Sequence, residues 1–243
     1  MVRGPFLGEL MGTFVLILMG GGIVGGAVLR KTKAEGAGWI SITAGWAFAV
    51  LSGIFTAQLF GSADAHLNPA VTLAFAVKAS AYGTFIKYAI AQTSGAFIAG
   101  VVLWLFFYPH WELTEDKGAK LAVFSTGPTV RNYAWAFFCE AVATFILIIV
   151  IGGMTSKLVL TTGAAAGLTP LLIACLIWGI GLSLGPTTGY AINPARDLGP
   201  RIAHFLLPIK GKGTSDWAYA WVPVLGPLAG AAFAGYILRL INA

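Results

Sequence analysis

"AINPARDLGP", residues 191–200, sets an arginine and an aspartate directly after an Asn-Pro pair, and the same Asn-Pro-Ala triplet stands 125 residues earlier in "HLNPAVT", residues 66–72. Asn is among the strongest helix N-caps and Pro is favoured at the first helical position. Both Asn68-Pro69-Ala70 and Asn193-Pro194-Ala195 therefore read as helix starts. The first of these helices, Pro69 to Lys78, is 10 residues long. That gives about 15 Å at 1.5 Å per residue, half of a bilayer's hydrocarbon core. A helix too short to cross a membrane, occurring twice, is the feature to which the rest of the chain must be fitted.

The surrounding composition is that of a membrane protein: of 243 residues, 58% are hydrophobic and 10% charged, with 32 glycines, and the mean hydropathy is +0.83. A soluble domain of this length could not bury so much apolar surface. Windows of roughly 20 apolar residues predict six crossings, at Phe6 to Leu29, Trp39 to Phe60, Thr84 to Phe107, Ala134 to Met154, Leu168 to Pro186 and Trp217 to Ile241. The two short segments, Asn68 to Lys78 and Asn193 to Leu207, stand between them. The first apolar segment carries Glu9 and is too long for the apolar region of a signal peptide, so it reads as a retained span. Cys139 and Cys175 both fall inside predicted spans, which argues against a disulfide framework. The net charge of +6 is scattered over loop ends, with no basic stripe interleaved with aromatics, which excludes a nucleic-acid interface. No nucleophile–base pair and no metal-ligand spacing is present. An enzyme is not expected, nor a cofactor or metal.

The two halves of the chain echo one another. "GELMGTF" (8–14) returns as "CEAVATF" (139–145), "HLNPAVT" (66–72) as "AINPARD" (191–197), and "SGAFIAG" (94–100) as "AGAAFAG" (229–235), in the same order and at offsets of 131, 125 and 135 residues. Each half holds three crossings and one short segment, so the second half must enter from the opposite face. This predicts one transmembrane domain over 1–243, built of inverted repeats at about 1–108 and 132–243 and linked by the loop 109–131. In such folds the interrupted helices meet near the midplane, and solutes bind there.

Two half-helices meeting N-terminus to N-terminus bring together two positive dipole ends of about half an elementary charge each, which opposes cations. Asn68 and Asn193 would each cap their own helix and present NH2 donors to a passing solute. The irregular backbone before each helix is tolerable at membrane depth only where it lines a cavity. Ala65, His66 and Leu67 in one half, and Gly189, Tyr190 and Ala191 in the other, are thus expected to supply a row of carbonyl acceptors. Arg196 lies one helical turn after Asn193. A charge at membrane depth costs at least about 2.5–3.5 kcal/mol, so Arg196 is read as functional.

The paired "HLNPAVT" and "AINPARDLGPRI", the opening "GELMGTF" and the six-plus-two arrangement resemble the major intrinsic proteins over essentially the whole chain. The Asp after the Arg in "NPARD" resembles the aquaglyceroporin branch, the glycerol facilitators. The resemblance implies a filter made of Trp46, Gly181, Tyr190 and Arg196, with Tyr190 where these proteins have phenylalanine. Gly181 takes the place of a histidine found in water-selective members, which implies a wider pore there. It further implies that Glu9 and Glu140 support the irregular backbone, in preference to binding an ion. His66 reads as a hydrogen-bonded structural histidine ahead of a titrating gate, and Asp197 suits a helix start, off the pore wall. Trp46 and Tyr190 would form an apolar wall opposite Arg196. Two departures stand out: Asp64 replaces a usual glycine, and the Trp46-to-Asn68 segment is longer than in the glycerol facilitators.

The expected function is passive conduction of glycerol and other small uncharged solutes, urea and lactic acid among the candidates, with some water and without ions or protons. A pore conducting mainly water or a neutral acid on the same fold is the alternative, ahead of a coupled secondary transporter. The resemblance also implies a homotetramer in the lipid bilayer of the plasma membrane, with both termini cytoplasmic. Counting basic residues favours the opposite orientation, eight on the outer loops against five on the inner.

Overall fold

The computed structural model describes residues 3–165 and 167–242. The regular structure among the described residues is helical: α1 (Pro5–Val28), α2 (Gly38–Phe60), α3 (Pro69–Ala79), α4 (Phe85–Phe106), α5 (Tyr108–Leu113), α6 (Lys117–Ala122), α7 (Tyr133–Thr155), α8 (Leu168–Ser183), α9 (Pro194–Leu206) and α10 (Val222–Leu240). Six crossing helices, α1, α2, α4, α7, α8 and α10, surround the half-helices α3 and α9. Five of the six have 19 to 24 residues and are long and apolar enough, by length and composition, to cross a membrane. The remaining crossing helix, α8, has 16 residues and spans about 24 Å at 1.5 Å per residue. It ends three residues before the predicted Pro186. The linker between the repeats, expected as a loop, contains α5 and α6, and Asp116 caps the latter by accepting from Gly118 N at 2.7 Å and Ala119 N at 3.1 Å.

α3 and α9 begin as the sequence requires. Asn68 and Asn193 have extended backbone and a proline follows each. Asn68 Oδ1 accepts from Ala70 N at 2.8 Å, and Asn193 Oδ1 accepts from Ala195 N at 3.0 Å and Arg196 N at 3.2 Å. These are donors that a helix N-terminus otherwise leaves unpaired. α9 carries Pro200 within it and still runs to Leu206.

The glycine motifs shared by the repeats explain how the halves lock. A Cβ on Gly95 of α4 would lie 2.2 Å from Leu10 O of α1, and one on Gly230 of α10 would lie 2.0 Å from Ala141 O of α7. Leu10 and Ala141 are equivalent by the 131-residue offset. The last glycine of each motif instead faces the other half: Gly100 is met by Ala203 Cβ of α9 at 2.7 Å, and Gly235 by Ala74 O of α3 at 2.4 Å. Each repeat thus seats the half-helix of its partner repeat. Only residues without a side chain permit backbones to approach this closely.

Gly230→Val would drive a side chain into the Ala141 carbonyl and is expected to lower stability by at least about 1–3 kcal/mol, the usual range for overpacking. Gly22→Ala, whose added Cβ meets no atom within 4 Å, should be neutral or stabilising by about 0.5–1 kcal/mol. Thermal unfolding of both variants in detergent checks the contrast.

Candidate functional site

The N-termini of α3 and α9 abut through a crossed pair of hydrogen bonds: Asn68 Nδ2 donates to Ile192 O at 2.8 Å, and Asn193 Nδ2 donates to Leu67 O at 2.9 Å. Each carboxamide NH2 has two hydrogens, so one per Asn is committed to the opposite repeat and one is left for a solute. The NH2 donors expected to face a solute are thereby halved in number, one N–H on each Asn. Leu67, expected to offer an open carbonyl, has that carbonyl engaged by Asn193.

The segments leading into the helices are built to the same pattern. Ala65 and Leu67 have φ of 45° and 54°, and Tyr190 and Ile192 have φ of 36° and 43°. These are the positions three and one before each Asn. Left-handed conformations at non-glycine residues cost about 1–3 kcal/mol each and persist only where the surroundings enforce them. A left-handed residue at every second position turns successive carbonyls, which alternate in a strand, toward one side. Among the described residues, no hydrogen bond ends on the carbonyls of Ala65, His66, Gly189, Tyr190 or Ala191. The trio equivalent to Ala65–Leu67 is Tyr190–Ile192, one residue later than the sequence reading of 189–191.

Two buried carboxylates hold these segments. Glu9 Oε1 accepts from Ser62 Oγ at 2.7 Å and His66 N at 2.9 Å, and its Oε2 accepts from Leu67 N and Gln92 Nε2, both at 2.7 Å. Glu140 Oε1 accepts from Thr188 Oγ1 at 2.7 Å and Ala191 N at 2.9 Å, and its Oε2 from Ile192 N at 2.8 Å. Both glutamates are fully buried. Gln92 also reaches Thr72 Oγ1 at 3.2 Å, and His66 Nδ1 lies 3.2 Å from the same hydroxyl while its ring stacks on Phe75.

A cavity of about 580 Å³ runs from Trp46, Tyr190 and Arg196 past Asn68 and Asn193 to Gln58, Asp64 and Thr155. Its middle is walled by aliphatic residues such as Leu16, Val50, Ile54, Ile151 and Ile177. Asp64 lines the end opposite Arg196 and is exposed, with the Tyr88 hydroxyl 3.4 Å from Oδ2.

At the Arg196 end the arrangement departs from expectation twice. The Arg196 guanidinium carbon sits over the Trp46 ring, 4.2 Å from its centroid, so that face is covered by the cation instead of forming an apolar wall across from it. A Cβ on Gly20 of α1 would lie 2.2–2.5 Å from the benzenoid edge of Trp46, so the ring is wedged between α1 and the arginine. Gly181, for its part, is not on the cavity wall. A Cβ there would meet Tyr190 Cζ at 2.9 Å, Tyr190 Oη at 3.0 Å and Thr43 Cγ2 at 2.9 Å. The space a side chain would vacate is taken by the tyrosine, so this glycine accommodates a ring and does not widen the pore. Trp39 completes the corner, donating from Nε1 to Gly181 O at 2.9 Å and packing edge-on to Tyr190. The Tyr190 hydroxyl is buried and has no hydrogen-bond partner among the described residues.

Asp197 is fully buried and absent from the cavity wall. Besides lying in the first turn of α9, it pairs with Arg201, a residue the sequence reading passed over: Arg201 Nε donates to Oδ1 at 2.7 Å and Nη2 to Oδ2 at 2.9 Å. Asp and Arg at i, i+4 on a helix are the available signal. Gln92, Thr126 and Phe124 carry no comparable signal of their own in the sequence. Thr72 and Asp197 occupy equivalent repeat positions, so a polar partner near each could have been sought. Beyond α9, Lys212 Nζ donates to the carbonyls of His204, Phe205 and Leu207, closing that helix end. Burial holds its pKa below the ordinary lysine value.

Comparison with known proteins identifies the family and the fold. A family model described as Major intrinsic protein matches residues 2–238. Glycerol uptake facilitator protein 3 of Lactiplantibacillus plantarum is 51% identical over 237 residues, covering 97% of this chain and 95% of its own length. The glycerol uptake facilitator protein of Streptococcus pneumoniae is 46% identical over 240 residues, covering 98% of this chain and 100% of its own. Among solved structures, the X-ray structure of the aquaglyceroporin from Plasmodium falciparum superposes with a TM-score of 0.84 at 26% identity, over 98% of this chain and 96% of that one.

A buried hydroxyl without a partner costs about 1–3 kcal/mol, so Tyr190→Phe is expected to leave the melting temperature unchanged or to raise it. Gly181→Ala, which forces Tyr190 and Thr43 apart, is expected to lower it. A destabilised Tyr190→Phe would mean that the hydroxyl is engaged.

Proposed function

Because the chain belongs to the major intrinsic protein family, we propose that it is a passive membrane channel for glycerol and other small uncharged solutes, conducting some water and excluding ions and protons. The observation that carries this reading is the cavity crossing the Asn68–Asn193 pair, apolar along its middle and lined at one end by Trp46, Tyr190 and a single arginine. A polyol needs such a passage: its carbon backbone slides on aliphatic walls while its hydroxyls exchange hydrogen bonds along one edge.

Each residue then has a role. The open carbonyls of Ala65, His66, Gly189, Tyr190 and Ala191 accept from solute hydroxyls in sequence. The remaining N–H of Asn68 and of Asn193 donates at the midpoint, orienting any water there and interrupting a proton-carrying chain. Arg196 donates at the filter and repels cations, reinforced by the two positive helix ends. Trp46 carries the guanidinium, and the Tyr190 ring, seated over Gly181, sets the width beside it. Glu9, Glu140 and Asp197 act as supports. The two repeats, about 1–108 and 132–243, work as one channel domain. We place the channel in the plasma membrane with both termini cytoplasmic, as a homotetramer with one pore per subunit. Urea and protonated lactic acid belong to the same class of neutral solute.

Proteoliposomes containing the protein, shrunk in a glycerol gradient, are expected to reswell faster than protein-free vesicles. Reswelling no faster than the protein-free control would overturn the reading. Arg196→Ala should raise passage of small monovalent cations on the order of tenfold, the factor that 1.4 kcal/mol carries, measured by ion flux on the same vesicles.

A further inference from the structure

We propose that Arg201, a residue remote from the cavity wall, is a positioning residue for solute selection: it fixes the strap Phe124–Thr126, and the strap fixes Arg196. The inference rests on the reading of Arg196 as the filter cation. Among the described residues, the Arg196 guanidinium has one hydrogen bond, from Nη1 to Phe124 O at 3.2 Å, besides its contact with Trp46. Where that carbonyl stands therefore decides where the guanidinium stands.

The strap follows α6 and is buried along its length, with Phe124, Ser125 and Thr126 all 6% exposed or less. Its fastenings come from α9. Thr126 donates from N and from Oγ1 to Asp197 Oδ2, both at 2.8 Å, and Arg201 Nη2 donates to Thr126 O at 2.9 Å. The Phe124 ring packs against His204 and Trp111 at 5.3 and 5.7 Å between centroids. Thr126 also reaches the pore backbone, since a Cβ on Gly189 would lie 3.3 Å from its Cγ2.

Arg201 holds more than the strap. Its Nη1 donates to Ser215 O at 2.8 Å and Asp216 O at 3.2 Å. With the bonds to Asp197 and Thr126, all five guanidinium N–H groups have acceptors inside the protein. Four points are thus set by one planar group: the start of α9, the strap, and two successive carbonyls of the segment before α10. A lysine keeps the charge opposite Asp197, but three donors at a single nitrogen cannot span these positions.

The test compares Arg201→Lys and Thr126→Val with Arg196→Lys and the parent, by stopped-flow permeability to glycerol and to water in proteoliposomes, with folded content and melting temperature measured on the same samples. A merely structural role lowers both permeabilities together, in proportion to folded protein. A positioning role changes their ratio. The expected result is a glycerol-to-water ratio reduced by about threefold or more in Arg201→Lys and, in the same direction, in Thr126→Val, as a loosened guanidinium obstructs the larger solute more. An unchanged ratio in these two variants, with a changed ratio in Arg196→Lys, would overturn the proposal and leave the filter standing. An unchanged ratio in all three would remove the filter reading and the proposal together.

Discussion

Two helices begin at the centre of this molecule facing one another, where neither lipid nor bulk water can pair with their free N–H groups. Asn68 and Asn193 meet that requirement from both directions, each carboxamide oxygen capping its own helix and each NH2 bonding the carbonyl just before the other. The crossed bonds join the repeats at the one place where their backbones must stop being regular. Much of the fold can be understood as what is needed to keep that junction in position.

The cost of the junction is carried by the flanking backbone, with four non-glycine residues in left-handed conformation. Glu9 and Glu140 offset it by accepting from two successive N–H groups in each segment. A carboxylate on a rigid crossing helix thus dictates the path of an irregular segment, and that path leaves carbonyls free to face the cavity. Close glycine contacts of α4 with α9 and of α10 with α3 press the half-helices inward from the opposite repeat. The same scheme operates twice, and the differences are local: Thr72 and Gln92 in one half, Asp197 and Arg201 in the other.

Much of this was legible in the residue order. The twin Asn-Pro-Ala triplets, the echoed motifs and the hydropathy set the number of crossings, the half-helices and their opposition, because capping preference and hydrophobic length are local properties. Trp46, Tyr190 and Arg196 were readable as neighbours through resemblance, and all three line one end of the cavity. What they do to one another was not readable. That Arg196 would lie over Trp46, and that Gly181 would be filled by Tyr190, depends on distances between helices far apart in the chain. The left-handed residues gave no signal either, since alanine, leucine, tyrosine and isoleucine do not favour that conformation on their own.

The sequence alone therefore determined a membrane-embedded inverted repeat with two helix starts at its heart, since those follow from periodicity, length and caps. The tertiary structure alone decided which donors and acceptors are spent internally and which remain for a solute. Leu67 O is taken, one N–H of each Asn is taken, and every donor of Arg201 is taken. Hydrogen-bond capacity is a property of each residue, but its allocation is settled only in the folded chain, which at the Asn68–Asn193 junction brings segments more than a hundred residues apart within 3 Å of one another.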